Sequence, residues 1–109
     1  MRRDHDKIKI AFWVFGALFS STVHAAPSEQ RQADIIYTVK QDCGSCHGLT
    51  LAGGLGPDLR ASRLKQLPDN YLISVIRNGV PGTPMPPWQR FFSDKEIHWI
   101  VTQLKQGAI

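Results

Sequence analysis

Cys43, Cys46 and His47 stand in the stretch QDCGSCHGLTLAGG, residues 41–54, with two residues between the cysteines and the histidine directly after the second. They are the only cysteines in the chain. Two thiols and an imidazole at this spacing could exchange a disulfide, hold a metal ion or anchor a larger group. A thioredoxin-like dithiol sits at a helix start after a strand, in a βαβ setting, and this sequence offers neither strand pattern nor length for one. A structural zinc site needs four ligands, whereas beyond position 25 the chain supplies two cysteines, His47 and His98. A disulfide between such close cysteines closes a small loop and gains little.

Covalent haem attachment remains, and C-x-x-C-H is its signature. Two thiols at this spacing can each add to one of the two vinyl groups of a haem, and the next histidine then reaches the iron. An open Cys-Cys-His metal site, a dithiol and a plain disulfide stay open beside it. The second axial ligand has one sulfur candidate. Met1 leaves if the N-terminus is removed, and Met85 is then the only methionine. A lone methionine is usually core filling. Met85, however, lies between Pro84 and Pro86 in VPGTPMPPW, a stiff segment with few packing partners, which displays the thioether outward. His98 is the rival sixth ligand, although its position opposite the apolar stripe of the last helix makes it a surface residue.

The elements that must position these groups are helical. Ile35, Ile36 and Val39 give helical spacing to residues 32–42, which run straight into Cys43, while residues 26–31 form a frayed polar leader. Residues 48–67 hold four glycines and read as loop, with a short helical turn at 61–66. Leu49, Leu51, Leu55, Leu59, Leu64 and Leu67 need something to pack on there, and a haem would serve. Pro68 and Asp69 open a middle helix with Leu72, Val75 and Ile76 on one stripe, and Gly79 ends it. Ser93 and Glu96 form a capping box for a last helix over 94–105, with Ile97, Ile100, Val101 and Leu104 on its apolar face. No strand pattern or repeat occurs, so the expected class is all-α.

The N-terminus reads as a secretory signal peptide over residues 1–25, with residues 26–109 as the single mature domain. A basic start, MRRDHDKIK, precedes the ten apolar residues IAFWVFGALF and a small-residue stretch ending at Ala25. Ten apolar residues fall well short of the roughly 20 that span a bilayer, so an uncleaved anchor is the weaker reading. Removing this segment takes four basic and two acidic residues from totals of 13 and 9, leaving 9 and 7. The net charge drops from +4 to +2, which gives little support to nucleic-acid binding. Haem attachment and export both point to the periplasm, with no stable membrane insertion after cleavage and a monomer expected.

CGSCHG, LGPDL, RNGVPGTPMPPW and the capped last helix together resemble class I monohaem cytochromes c, across residues 32–105. The resemblance implies a cytochrome c fold of three to four helices around one covalent haem c, attached through Cys43 and Cys46 and ligated by His47 and Met85. It also implies that the Pro57 carbonyl accepts a hydrogen bond from the His47 ring, which fixes its orientation. Where the family commonly pairs a glycine with an aromatic at its crossing helices, this chain has Ile35 and Gln103, so Tyr37 or Trp99 is expected to build that contact. More narrowly, QDCGSCHG, GGLGPDL and PGTPMPPW are similar to the small periplasmic cytochromes c associated with cytochrome cd nitrite reductase in denitrifying bacteria.

The resulting expectation is an electron carrier, not an enzyme, serving a protein redox partner such as a nitrite reductase. With both axial positions filled by protein, no place is left on iron for a substrate. Two alternatives stand beside it: an accessory role in maturing the reductase's non-covalent haem, and a small-ligand sensor or peroxidase in which the methionine dissociates. Trp88 is expected either to meet a haem propionate or simply to pack. Arg60, Arg63 and Lys65 read as a solvated basic cluster that could steer an acidic partner.

Overall fold

A computed structural model describes Gly16 and residues 25–109; apart from those two positions, the expected signal peptide lies outside the described residues. All regular structure among the described residues is helical. Helix α1, Glu29–Thr38, runs into a π-helical turn, Val39–Cys43, and on into α2, Gly44–His47, so that a single rod carries both cysteines and the histidine. This rod begins three residues earlier than its apolar spacing predicts. Ser28 is the reason, since its Oγ accepts from the Arg31 backbone N–H at 3.3 Å and caps a helix start that polar residues alone would not hold.

After the rod, α3 is a single turn, Ala61–Leu64, within otherwise irregular chain. Helix α4, Asp69–Asn78, begins directly after Pro68, which takes the capping position with extended backbone. It ends at Gly79, where φ is +66°. Helix α5, Asp94–Gln106, carries the complete capping box expected of Ser93 and Glu96. Ile35 and Val39 from the rod, Leu72 and Ile73 from α4, and Ile97, Ile100, Val101 and Leu104 from α5 form one buried cluster with Leu51, Leu64 and Phe92.

Of the two residues expected to build the contact between the first and last helices, only Trp99 takes part. Tyr37 is 68% exposed and takes no part. Ile35 itself is wholly buried in the same cluster as Ile97 and Val101, and Trp99 packs against that cluster from its edge. A β-branched residue with a fixed rotamer replaces the glycine's close approach by filling the space with its own volume.

A charged clasp adds to this contact. Arg31 donates to both carboxylate oxygens of Glu96, at 2.6 and 3.2 Å, and to the Phe91 carbonyl at 3.1 Å. Glu96 also accepts from the Ser93 backbone N–H at 2.8 Å, so one carboxylate serves both the cap and the clasp. The Arg31 hydrogen bond is the main cause that holds Glu96 below the usual carboxylate range. Its contribution is therefore fully present above about pH 4.5 and is lost as pH falls through the lowered folded value. Glu96→Gln, which can still cap, is expected to cost about 1 kcal/mol at neutral pH. Denaturant unfolding of the holoprotein between pH 7 and 3 checks this, because the difference from wild type should shrink at the acid end.

Candidate haem site

The three thirds of the site are built from different elements around one apolar cavity of about 490 Å³. Cys43, Cys46 and His47 line it from the end of the rod, Met85 and Trp88 from the proline-rich loop, and Leu72, Val75 and Ile76 from α4. A π-helical turn widens the backbone by one residue per turn, and such turns are enriched at functional sites. Here it comes immediately before the motif and ends on Cys43.

His47 is 8% exposed and its Nδ1 lies 2.7 Å from the Pro57 carbonyl oxygen. A carbonyl only accepts, so Nδ1 carries the proton and Nε2 keeps its lone pair for the cavity. Gly56 makes this possible: a Cβ there would fall 2.7 Å from His47 Cε1 and Nδ1. The glycine loop is folded back on the motif, with the Gly53 N–H donating to the His47 carbonyl and the Gly56 N–H to the Cys46 carbonyl, both at 2.8 Å. The ring is thus gripped by backbone, and its orientation does not depend on a flexible side chain.

Both cysteines are free and partly buried. Burial, with a smaller contribution from Asp42, pushes the Cys43 thiol up to about 11. At neutral pH it is a thiol, whereas dithiol oxidoreductases rely on a lowered value and an exposed thiolate. No group of three or more His, Cys, Asp or Glu side chains among the described residues converges as a metal-ion site.

Met85 is half-buried and is held by its neighbours rather than by a helix. Thr83 Oγ1 accepts from the Met85 N–H at 3.3 Å and donates to the Val80 carbonyl at 2.7 Å, while the Met85 carbonyl accepts from the Val80 N–H at 3.2 Å. Gly79 lets the loop close onto the end of α4, since a Cβ there would lie 2.6 Å from the Met85 carbonyl oxygen. The Trp88 backbone N–H, donating to the Ile76 carbonyl at 3.0 Å, fastens the far end of the loop to the same helix.

The sequence expectations are sorted by this geometry. Leu55, Leu59, Leu64 and Leu67 line the cavity as expected. Leu49 instead is 81% exposed, and Leu51 is buried in the protein core with φ of +58°, so neither belongs to the cavity wall. The basic cluster divides: Arg63 lines the cavity, Arg60 is paired with Asp58 at 2.7 Å, and Lys65 does neither. His98 is exposed and away from the cavity. Thr83 and Gly79, which brace the Met85 loop, and Tyr71, which lines the cavity, were not expected to take part. A threonine two residues before a proline-flanked methionine was the available signal for the first.

A deep apolar cavity of this size, two free thiols on its wall, an oriented imidazole and a braced thioether fit a covalently attached haem. Comparison with known proteins agrees. Residues 30–102 match the family model described as cytochrome C oxidase, cbb3-type, subunit III. The chain is 42% identical over 90 residues to cytochrome c55X of Stutzerimonas stutzeri, covering 83% of this chain and 80% of that one. Among solved structures, the c-type cytochrome NirC superposes with a TM-score of 0.72 at 44% identity, covering 74% of this chain and 95% of that one. Dihydro-heme d1 dehydrogenase NirN in complex with DHE superposes with a TM-score of 0.59 at 30% identity, over 66% of this chain but 16% of that one. The cavity, its motif and these relatives place the chain in the monohaem c-type cytochromes, within the cytochrome c55X family, whose members carry electrons on a covalent haem c rather than act as enzymes.

Proposed function

We propose that this chain, cut after Ala25, is a periplasmic carrier whose single haem is attached through Cys43 and Cys46 and ligated by His47 and Met85. The observation that carries the reading is that the oriented His47 imidazole and the braced Met85 thioether line one apolar cavity. Haem supplies a one-electron couple, and the chain's own residues set its conditions. His47, oriented by its hydrogen bond to the Pro57 carbonyl, and Met85, a soft neutral donor, would hold the iron. The leucines and α4 side chains exclude water, and Arg63 is the cation available on the cavity wall.

The electron acceptor is a cytochrome cd nitrite reductase on this reading, supported by the resemblance of QDCGSCHG, GGLGPDL and PGTPMPPW to the cytochromes that accompany it. The likeness to a dihydro-haem d1 dehydrogenase favours a second reading, in which the carrier takes electrons released during maturation of the non-covalent haem. Deleting the gene in a denitrifying host separates the two. Fully assembled reductase with slowed nitrite turnover supports electron supply, whereas reductase lacking its non-covalent haem supports the maturation role. Unchanged turnover and assembly would contradict both.

A further inference from the structure

Met85 stands where the backbone has little to hold itself with. Residues 84, 86 and 87 are prolines, which carry no N–H, so the Met85 amide is the one backbone donor of residues 84–87. No helix contains the segment, since α4 ends at Asn78 and α5 begins at Asp94. A methionine side chain is flexible and goes where its backbone allows. The prolines on either side fix their own φ, so a shift at the Met85 amide is passed on to its Cα and side chain instead of being absorbed beside it.

Thr83 takes that single donor. Its Oγ1 accepts from the Met85 N–H at 3.3 Å and donates its own proton to the Val80 carbonyl at 2.7 Å, a carbonyl that also accepts from the Thr83 backbone N–H at 3.1 Å. A hydroxyl has one hydrogen, so with that proton on Val80 the Thr83 oxygen offers the Met85 amide a lone pair and has no proton left for the cavity it lines. The Met85 carbonyl accepts from the Val80 N–H at 3.2 Å. Both polar backbone groups of Met85 are therefore tied to Val80, one directly and the other through Thr83. Val80 lies just past the end of α4, where Gly79 closes against the Met85 carbonyl, so the tie leads back to a regular element.

We propose that the Thr83 hydroxyl is the positioning group that keeps Met85 on the haem iron, and thereby sets how readily a small nitrogen-donor ligand enters the sixth place. The inference rests on the axial-ligand reading above. Without the hydroxyl, the Val80 carbonyl keeps the Thr83 N–H, whereas the Met85 N–H loses its acceptor and is left to water. The bound form of the loop then gains less over the open form, and an incoming ligand meets a larger open fraction. Serine can make the same two hydrogen bonds. Valine has the shape of threonine without them.

The test titrates oxidised holoprotein with imidazole, which must displace Met85, and follows the visible spectrum. Thr83→Val should bind imidazole roughly three- to tenfold more tightly than the wild type, as the loss of one hydrogen bond implies. Thr83→Ala should shift in the same direction, and Thr83→Ser should stay within about twofold of the wild type. Reduced Thr83→Val should keep the upfield Met85 methyl resonance, because methionine still binds in most molecules. Wild-type imidazole affinity in both Thr83→Val and Thr83→Ala would overturn the proposal. So would a Thr83→Ser variant that loosens as much as Thr83→Val, since shape and not the hydroxyl would then matter. A changed pH dependence of the midpoint potential in Thr83→Val, with imidazole affinity unchanged, would place the hydroxyl on a haem propionate and overturn it as well. A wild-type protein that lacks the methyl resonance and binds imidazole as tightly as Met85→Ala would instead overturn the axial-ligand reading itself.

Discussion

Replacing Met85 with alanine is expected to lower the midpoint potential of the holoprotein by on the order of 0.2 V, within the span of about 0.8 V over which axial ligands tune haem. Thioether sulfur favours the reduced iron, and its removal leaves water or an oxygen donor that favours the oxidised form. No other thioether lies within residues 26–109 to take its place. The exposed His98 stands away from the cavity. The same variant should bind carbon monoxide rapidly when reduced, whereas the wild-type protein at neutral pH should resist it. Tight, rapid binding by the wild type would favour a ligand-binding sensor over a carrier. Potentiometric titration of the two proteins side by side reads the first effect, and carbon monoxide difference spectra read the second.

The second large effect concerns folding. Cys43→Ala with Cys46→Ala should abolish covalent haem attachment and, with it, cooperative unfolding. Without haem, the apolar side chains that line a cavity of about 490 Å³ lose the surface they pack on, in a domain whose whole stability is on the order of 5–15 kcal/mol. The chain cannot offset that from the rest of its core, which is the cluster shared by α1, α4 and α5. Circular dichroism and denaturant titration of the variant should show reduced helix content and a broad transition. A sharp transition at the holoprotein's midpoint would mean that the leucines at 55, 59, 64 and 67 pack on one another and need no haem.

Much of this architecture was legible because it is written in local chemistry. The capping box at Ser93 and Glu96, the Pro68 start and the Gly79 stop each act within a few residues, and the helices they bound lie where expected. That His47 and Met85 would face one cavity was legible for another reason, since residue type and spacing restrict what two thiols, an imidazole and a proline-flanked thioether can do. The π-helical turn was not legible, because Val39–Cys43 has the same apolar spacing as an α-helix. Leu49 and Leu51 illustrate a further limit. Two leucines two residues apart in a loop carry no period, and one is turned to solvent while a positive φ turns the other into the core. The role of Gly79 in receiving the Met85 backbone is equally hidden, because its partner lies six residues away across a loop whose path the sequence does not state.

The central claim is that His47 and Met85 together close the iron of one covalent haem. Proton NMR of the reduced holoprotein addresses it directly, since a methionine methyl bound to haem iron lies over the ring and is shifted far upfield by the ring current. One such methyl resonance is expected in the wild-type protein and in His98→Ala, and none in Met85→Leu. A spectrum without that resonance in the wild type, or one that keeps it in Met85→Leu, would contradict the account.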